Sequence, residues 1–277
     1  MKTILLPSGE RVPALGQGTW NMGDQHATRA EEIAALRMGI DHGLTLIDTA
    51  EMYGSGRSEE LVGEAIAGRR EAVFLVSKVL PQNATRLGTI AACEKSLERL
   101  KTDRLDLYLL HWRGSAPFAE TLEALSRLQA DGKIRHHGVS NLDFDEMREW
   151  HSLKDGTGVA TNQVLYNLSR RGVEWDLAPW LREKRIPLMA YSPLEQARLV
   201  NHKGLAAFGH KHGMSPAQAA LAWLLAQENV IAIPKCGNRE RLEDNLGALS
   251  HKLDTVQLAE LDALFPPPKH AQPLEML

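Results

Sequence analysis

Four side chains suited to acid–base chemistry lie between residues 48 and 111. Asp48, Lys78 and His111 each end an apolar run, and Tyr53 follows Asp48 in a short polar loop. An ammonium beside a phenol lowers the phenol's pKa from its usual value of about 10, and a hydrogen-bonded imidazole can help to position the proton. Together these groups could protonate a carbonyl oxygen while a hydride arrives at the carbon. A hydrolase would need a nucleophile or a metal with suitable partners, and the sequence shows neither.

Polar residues end every predicted strand from the second onward. They are Asp48, Lys78, His111, Ser140 with Asn141, Gln163, Tyr191 with Ser192, and Lys235. Because the active site of a parallel barrel lies at the C-terminal ends of its strands, this series predicts a site at one rim. Asp48 and Lys78 end consecutive strands, and we expect them to pair because an unpaired buried charge is costly. For that pair taken alone, a plain structural salt bridge is the alternative.

Eight apolar strands that alternate with helices carry these residues. The predicted strands are 15–19, 44–48, 73–78, 105–111, 134–141, 159–166, 187–192 and 230–235. The predicted helices are 29–41, 58–67, 86–100, 117–131, 144–151, 176–184, 203–212, 215–227 and 239–249. A β-hairpin at 3–6 and 11–14 precedes them, and Ser215, Pro216 and Gln218 predict a capping box. Continuously apolar strands without an interdomain linker favour one α/β domain over 1–277, a (β/α)₈ TIM barrel, with a doubly wound open sheet as the alternative.

Composition and charge narrow the class of protein. Hydrophobic residues make up 43% and charged residues 24% of the chain, which is typical of soluble globular proteins. A formal charge of −3 gives no electrostatic case for binding nucleic acid or an acidic membrane. The apolar run before Pro7 is too short for a signal peptide, and no segment is apolar for long enough to cross a membrane. We therefore expect a cytoplasmic protein, and Cys93 and Cys236 form no disulfide framework.

Signatures of the Rossmann and short-chain dehydrogenases and of metal sites are missing from the sequence. The nearest G-x-G-x-x-G candidate, residues 16–21, lacks the third glycine, and no tyrosine is followed four residues later by lysine. If the hydride comes from a nicotinamide cofactor, we therefore expect the protein to bind that cofactor without a Rossmann fold. His210 and His212 are predicted to lie at a solvated helix end, and no metal is expected.

Several long segments resemble the aldo-keto reductases, in the family's order, over residues 3–265. They are DTAEMYG with GRSEELVGEAI, VFLVSK, LDLYLLHW, GKIRHHGVSN, TNQVLY, YSPL and IPKCGNRERLEDN. The resemblance implies a (β/α)₈ barrel whose bottom is capped by the hairpin. It also implies a catalytic tetrad in which Tyr53 is the general acid, Lys78 and Asp48 tune it, and His111 orients the carbonyl.

The resemblance also implies positions that bind NADPH, with NADH possible. These are Ser140, Asn141 and Gln163 at the nicotinamide carboxamide, Tyr191 stacked on the ring, Ser192 and Leu194 at the pyrophosphate, and Lys235, Cys236, Arg241 and Asn245 at the 2′-phosphate and adenine. Two residues depart from the family's pattern, because Cys236 replaces a common hydroxyl residue and Asp244 a longer glutamate. Trp20 and Trp112 match aromatics that wall the substrate pocket with Tyr53 and His111, and packing under a loop is their alternative.

The expected activity is NADPH-dependent reduction of aldehydes and some ketones. The loop at 113–117 and the tail PPPKHAQPLEML are short, which suggests an open pocket, and the sequence resembles bacterial members that reduce methylglyoxal. We expect a monomer whose partner is a small carbonyl compound. A redox-sensing binding module, like the family's channel-associated subunits, is the alternative from another class, and a non-redox barrel hydrolase ranks below it.

Overall fold

Eight parallel strands follow one another in chain order around a barrel. The computed structural model describes residues 1–277. A hairpin of β1 (Thr3–Leu5) and β2 (Arg11–Pro13) precedes the barrel strands. The barrel strands are β3 (Gln17–Gly18), β4 (Leu46–Asp48), β5 (Phe74–Val79), β6 (Leu105–Leu110), β7 (Ile134–Ser140), β8 (Asn162–Leu165), β9 (Leu188–Tyr191) and β10 (Val230–Ala232).

Closure of the sheet decides between the two predicted architectures. Neighbouring strands pair in the unbroken order β3 to β10, all in parallel. Parallel bridges then join Leu15 to Ala232 and Gly18 to Lys235, and the amide of Gly16 donates to the Ala232 carbonyl at 2.8 Å. The first and last strands are therefore neighbours, and no point exists where the strand order reverses. The (β/α)₈ prediction is confirmed, and the doubly wound alternative is wrong.

Helices cover the outside of the barrel close to the predicted positions. They are α1 (Arg29–Asp41), α2 (Arg57–Ala65), α3 (Arg86–Leu100), α4 (Phe118–Ala130), α5 (Phe144–Ser152), α6 (Leu177–Glu183), α7 (Lys203–His212), α8 (Pro216–Ala226), α9 (Arg239–Gly247) and α10 (Thr255–Leu264). The capping box of Ser215 and Gln218 is present at the start of α8. The predicted set lacks α10, although Asp254 and Gln257 form a capping box there that the sequence could have indicated. None of the helices is long and apolar enough to cross a membrane.

The hairpin closes the end of the barrel at which the strands begin. Ile4, Leu6 and Val12 share one buried cluster with interior residues that include Leu46 and Phe74, the first residues of β4 and β5. Polar contacts add to this packing. The Glu10 carboxylate lies 2.6 Å from Nε2 of His136 and 3.0 Å from Arg135, near the start of β7. The catalytic candidates therefore lie at the opposite, open end.

Candidate active site

Lys78 lies at the centre of the polar cluster at the open end of the barrel. Its side chain is fully buried, and Nζ donates to Asp48 Oδ2 at 2.7 Å, to the Thr49 carbonyl at 2.8 Å and to Tyr53 Oη at 3.2 Å. β4 and β5 are paired so that Asp48 lies opposite Val76. Lys78 is two residues further along β5 and therefore on the same face of the sheet as Val76. The structure thus brings the predicted pair together, and the Tyr53 phenol also contacts the ammonium, as predicted.

Gln163 reaches the same carboxylate from the other side of the barrel. Its Nε2 donates to Asp48 Oδ1 at 2.7 Å and lies 3.0 Å from Sδ of Met189. Asp48 is therefore bound through both oxygens, once by a cation and once by an amide. The contact with Asp48 was missed from the sequence, because β4 and β8 are far apart in the chain and only the curvature of the barrel aims both into its interior.

A strained turn places Tyr53 over the strand ends. After Tyr53 the backbone is left-handed at Gly54, Ser55 and Gly56, with φ values of 57°, 54° and 95°. A Cβ at Gly54 would lie 2.6 Å from Asp24 Oδ1, which accepts a hydrogen bond from Arg57 at 2.8 Å. The glycine thus permits both the turn and the close approach of the neighbouring loop, so a larger residue there would displace the phenol.

Burial and Lys78 act in opposite directions on the Tyr53 hydroxyl. Burial raises the pKa of Tyr53, the Lys78 ammonium lowers it, and the Asp48 charge raises it, so that the net shift is upward. The ammonium lowers the pKa of Tyr53 as predicted from the sequence, but desolvation outweighs its effect. Burial alone would lower the pKa of Lys78, yet the charges of Asp48 and Tyr53 raise it. At neutral pH the phenol therefore keeps the proton that it would donate, beside a charged ammonium.

His111 is a neutral imidazole beside this cluster. Burial lowers its pKa to about 2, and the nearby Lys78 charge adds to the shift. The ring lies edge-on to Tyr53 with centroids 5.9 Å apart and contacts the Trp112 ring at 4.8 Å. Ring Nδ1 is buried without a hydrogen-bond partner. A neutral ring in this position can orient a carbonyl oxygen without competing with Tyr53 as the acid.

The residues predicted to meet the nicotinamide form a network that continues from the tetrad. Ser140 Oγ donates to the Gln163 carbonyl at 2.8 Å, and Asn141 Nδ2 donates to the His111 carbonyl at 3.1 Å. Tyr191 Oη donates to Asn141 Oδ1 at 3.0 Å. The backbone at Asn141 and at Ser192 is left-handed, with φ values of 55° and 49°. The structure thus places the predicted nicotinamide contacts beside the proton donor.

Two unpaired cations lie beside the start of α9. Asn238 caps this helix by accepting from the Arg241 amide at 3.0 Å. The side chains of Lys235 and Arg241 form no salt bridge, and Lys235 Nζ contacts only the Asn21 carbonyl, at 3.4 Å. Free cations at a capped helix N-terminus fit a phosphate group. Asn245 is buried one turn further along α9.

The two residues that depart from the family's pattern, Cys236 and Asp244, each form a hydrogen bond within the protein. Cys236 is buried, which raises its pKa to about 11, and Sγ donates to the Asn238 carbonyl at 3.2 Å. Asp244 Oδ1 accepts from Gln218 Nε2 at 2.9 Å, which ties it to α8. Neither side chain is therefore free in this structure, in contrast to the unpaired cations of Lys235 and Arg241. Leu194 packs against the main hydrophobic core in the loop after β9.

Aromatic and apolar side chains lie in the loops next to the tetrad. Trp20, in the loop after β3, is 43% exposed, and Met52, directly before Tyr53, is 40% exposed. Trp112 contacts the His111 ring, as described above. Exposed tryptophan and methionine at the rim of a polar cluster favour the predicted substrate wall over packing under a loop. Met52 was not predicted, although its position next to Tyr53 in the sequence is a usable signal.

A closed (β/α)₈ barrel with Asp, Tyr, Lys and His at its open end defines a class of reductase. The Aldo/keto reductase family model matches residues 14–265, and the chain belongs to that family.

Individual relatives agree with this assignment. The chain is 50% identical to methylglyoxal reductase YeaE of Escherichia coli (strain K12), over 100% of this chain and 99% of that protein. It is 36% identical to glyoxal reductase of Bacillus subtilis (strain 168), over 95% and 92% of the respective chains. A crystal structure of an aldo/keto reductase from Klebsiella pneumoniae in complex with NADP and acetate superposes with a TM-score of 0.97 at 49% identity, covering 100% and 99%.

Proposed function

We propose that this protein reduces small neutral aldehydes, methylglyoxal among them, with NADPH as the hydride donor and Tyr53 as the proton donor. The observation that carries the proposal is the contact of one buried ammonium, Lys78 Nζ, with both Asp48 and Tyr53 Oη. The family membership and the NADP-bound structural relative support the reaction class. The names of the two curated relatives support the substrate.

The residues of the chain divide the work of a carbonyl reduction. NADPH, when bound, supplies a hydride to the carbonyl carbon. Tyr53 donates its phenolic proton to the carbonyl oxygen, and Lys78 stabilises the negative charge that the phenol then carries. His111, neutral at physiological pH, orients the carbonyl oxygen, and Asp48 keeps Lys78 charged and in place. Each role uses a contact or a protonation state present in the structure.

The cofactor would be held at two places on the same rim. Ser140, Asn141 and Gln163 provide side-chain amides and a hydroxyl for the carboxamide, and Tyr191 provides an aromatic ring for stacking. Lys235 and Arg241 provide positive charge for the 2′-phosphate, which NADH lacks. Because a hydrogen bond to a charged group contributes about 1.5–3 kcal/mol, two free cations favour NADPH over NADH.

The charges around the rim favour a neutral substrate over a carboxylated one. The arginine that follows Trp112, Arg113, is bound by Glu149 at 2.7 Å. Arg170, in the loop after β8, is bound by the buried Glu195 at 2.9 Å and also pairs with Glu275. Neither guanidinium is free to pair with a substrate carboxylate. Small neutral dicarbonyl compounds, to which methylglyoxal and glyoxal belong, fit this distribution of charge.

A matched pair of tyrosine variants tests the proposal. In an assay of NADPH absorbance with methylglyoxal, Tyr53→Phe should lower kcat by about 10²–10⁴-fold, because general acid catalysis contributes that much. Tyr108→Phe removes a fully buried hydroxyl in the outer core, away from the tetrad, and should leave kcat nearly unchanged. If wild-type protein quenches its tryptophan fluorescence with NADPH yet turns over no aldehyde in a panel, the enzyme proposal fails and the sensing module is favoured.

The assembly and location of the protein remain predictions of the same proposal. We propose that residues 1–277 form one domain that acts as a monomer in the cytoplasm. The hairpin and the barrel interior share one hydrophobic cluster, which supports a single folding unit. Gel filtration should give the mass of one 30.7 kDa chain, and elution as a dimer would contradict the monomer.

A further inference from the structure

Three buried hydroxyl groups form a chain directly behind the tetrad. They belong to Thr19 after β3, Thr49 after β4 and Ser58 in the first turn of α2, and all three residues are fully buried. Thr49 Oγ1 donates to Ser58 Oγ at 3.2 Å. Ser58 Oγ in turn lies 2.8 Å from Thr19 Oγ1 and 3.0 Å from the Thr19 carbonyl oxygen. Thr19 Oγ1 donates to the Asp48 carbonyl at 2.9 Å.

The chain of donors runs in one direction and ends on the residue next to the one at which it starts. Each hydroxyl has one proton, and each of the three protons is used once, from Thr49 through Ser58 and Thr19 to the Asp48 carbonyl. It therefore begins and ends on consecutive residues, Asp48 and Thr49. Hydrogen bonds in such a buried series polarise one another, so the loss of one member weakens the others.

The two residues that this chain holds also bind Lys78 on their other side. Lys78 Nζ contacts the Asp48 carboxylate and the Thr49 carbonyl at 2.7 and 2.8 Å. Its contact with Tyr53 Oη is the longest of the three, at 3.2 Å, and so the most sensitive to a shift of the ammonium. Ser58 also follows the left-handed turn that carries Tyr53, so the same hydroxyl anchors both ends of the segment from Asp48 to Ser58.

We infer that Thr19, Thr49 and Ser58 are positioning residues that set the distance between the Lys78 ammonium and the Tyr53 hydroxyl. Their hydroxyl groups are fully buried and hydrogen-bonded to one another, and they act through the Asp48–Thr49 peptide and the turn that follows it. The inference rests on the proposed reductase function. Turnover of an aldehyde by the wild-type protein tests that function, whereas the differences among the variants test the inference.

Paired substitutions separate the hydroxyl from the shape of the side chain. Thr49→Val keeps the shape and removes the donor, and Thr49→Ser keeps the donor and removes a methyl group. Since misplacing a catalytic group by 1 Å can cost about 10²-fold, a smaller shift in Thr49→Val should lower kcat about tenfold without changing KM for NADPH. Thr49→Ser should stay within about twofold of wild type on the same argument. Ser58→Ala, which interrupts the middle of the chain, should resemble Thr49→Val.

The pH profile supplies a readout that a merely structural hydroxyl would not move. The Lys78 ammonium opposes the burial that raises the pKa of Tyr53, so an ammonium held less closely lowers that pKa less. The alkaline limb of the kcat profile should therefore move to higher pH in Thr49→Val and Ser58→Ala, and stay in place in Thr49→Ser.

Thr161→Val is the matched control. Thr161 is fully buried and donates to a backbone carbonyl, that of Pro187 at 2.8 Å, just before β8 begins. It should lower thermal stability as the other variants do, while kcat and the pH profile stay those of wild type. Wild-type kcat and pH profile in Thr49→Val and Ser58→Ala would overturn the inference, as would equal losses in Thr49→Ser and Thr49→Val. If Thr49→Val does not fold, Ser58→Ala against Thr161→Val decides the question.

Discussion

Removing the Lys78 ammonium should destabilise the barrel as well as stop catalysis. The side chain of Lys78 is 0% exposed and that of Asp48 is 3% exposed, so neither charge can turn to solvent. Lys78→Met would leave the Asp48 carboxylate with the Gln163 amide as its remaining side-chain partner and would strip the Thr49 carbonyl of a donor. The perturbation is thus an uncompensated buried charge inside a packed site.

The size of the effect follows from this loss of compensation. Breaking a buried ion pair by removing one partner costs about 3–5 kcal/mol, whereas typical domain stabilities are about 5–15 kcal/mol. Asp48→Asn in the Lys78→Met background removes the stranded charge and should restore about 2 kcal/mol or more. The two substitutions should therefore be strongly non-additive, with the double variant more stable than Lys78→Met alone.

Urea unfolding at pH 7, followed by the fluorescence of the six tryptophans, measures these differences. Because the pKa of Lys78 is raised in the folded protein, its contribution is fully present below its unfolded pKa of about 10.4 and is lost as pH rises through the folded pKa. The difference in free energy of unfolding between wild type and Lys78→Met should therefore be constant from neutral pH to about pH 9 and change only at higher pH. A free energy of unfolding for Lys78→Met within about 1 kcal/mol of wild type, or additive effects in the double variant, would refute the reasoning.

Two further predictions concern protonation and the cofactor. Because burial lowers the pKa of His111 to about 2, kcat should show no acidic limb from this residue between about pH 5.5 and 8, and a limb near pH 6.5 that disappears in His111→Gln would contradict it. Lys235→Met or Arg241→Met should each raise the Kd for NADPH about tenfold or more and leave that for NADH nearly unchanged, as measured by fluorescence titration. Equal weakening of both cofactors would show that these cations do not read the 2′-phosphate.

Several features of the site were predictable because they are local in the sequence. The apolar run before Asp48, the similar runs before Lys78 and His111, and the glycines after Tyr53 mark strand ends and a turn without reference to any partner. Helix α8 was equally local, since Ser215 and Gln218 cap it through contacts three residues apart. The same reasoning could have found α10 from Asp254 and Gln257, which form the same motif.

Other features depend on which strands become neighbours, and sequence order does not encode that directly. The amide of Gln163 reaches Asp48 across the barrel because β4 and β8 both face its interior. The direction in which the pKa of Tyr53 shifts depends on how deeply the turn is buried. That burial depends on all the residues around the rim and cannot be inferred from Lys78 alone. For the same reason, the hydroxyls of Thr19, Thr49 and Ser58 show no pattern in the sequence.

The sequence by itself determined the class of this protein, because the order of apolar strands and the residue type at each strand end specify a barrel with an acid–base rim. Only the tertiary structure decided how that rim is organised. Barrel closure sets which side chains meet across the interior, and burial sets their protonation. Both are collective properties of the packed strands, so Asp48 acquires its second partner, and the pKa of Tyr53 is raised, only once the barrel has formed.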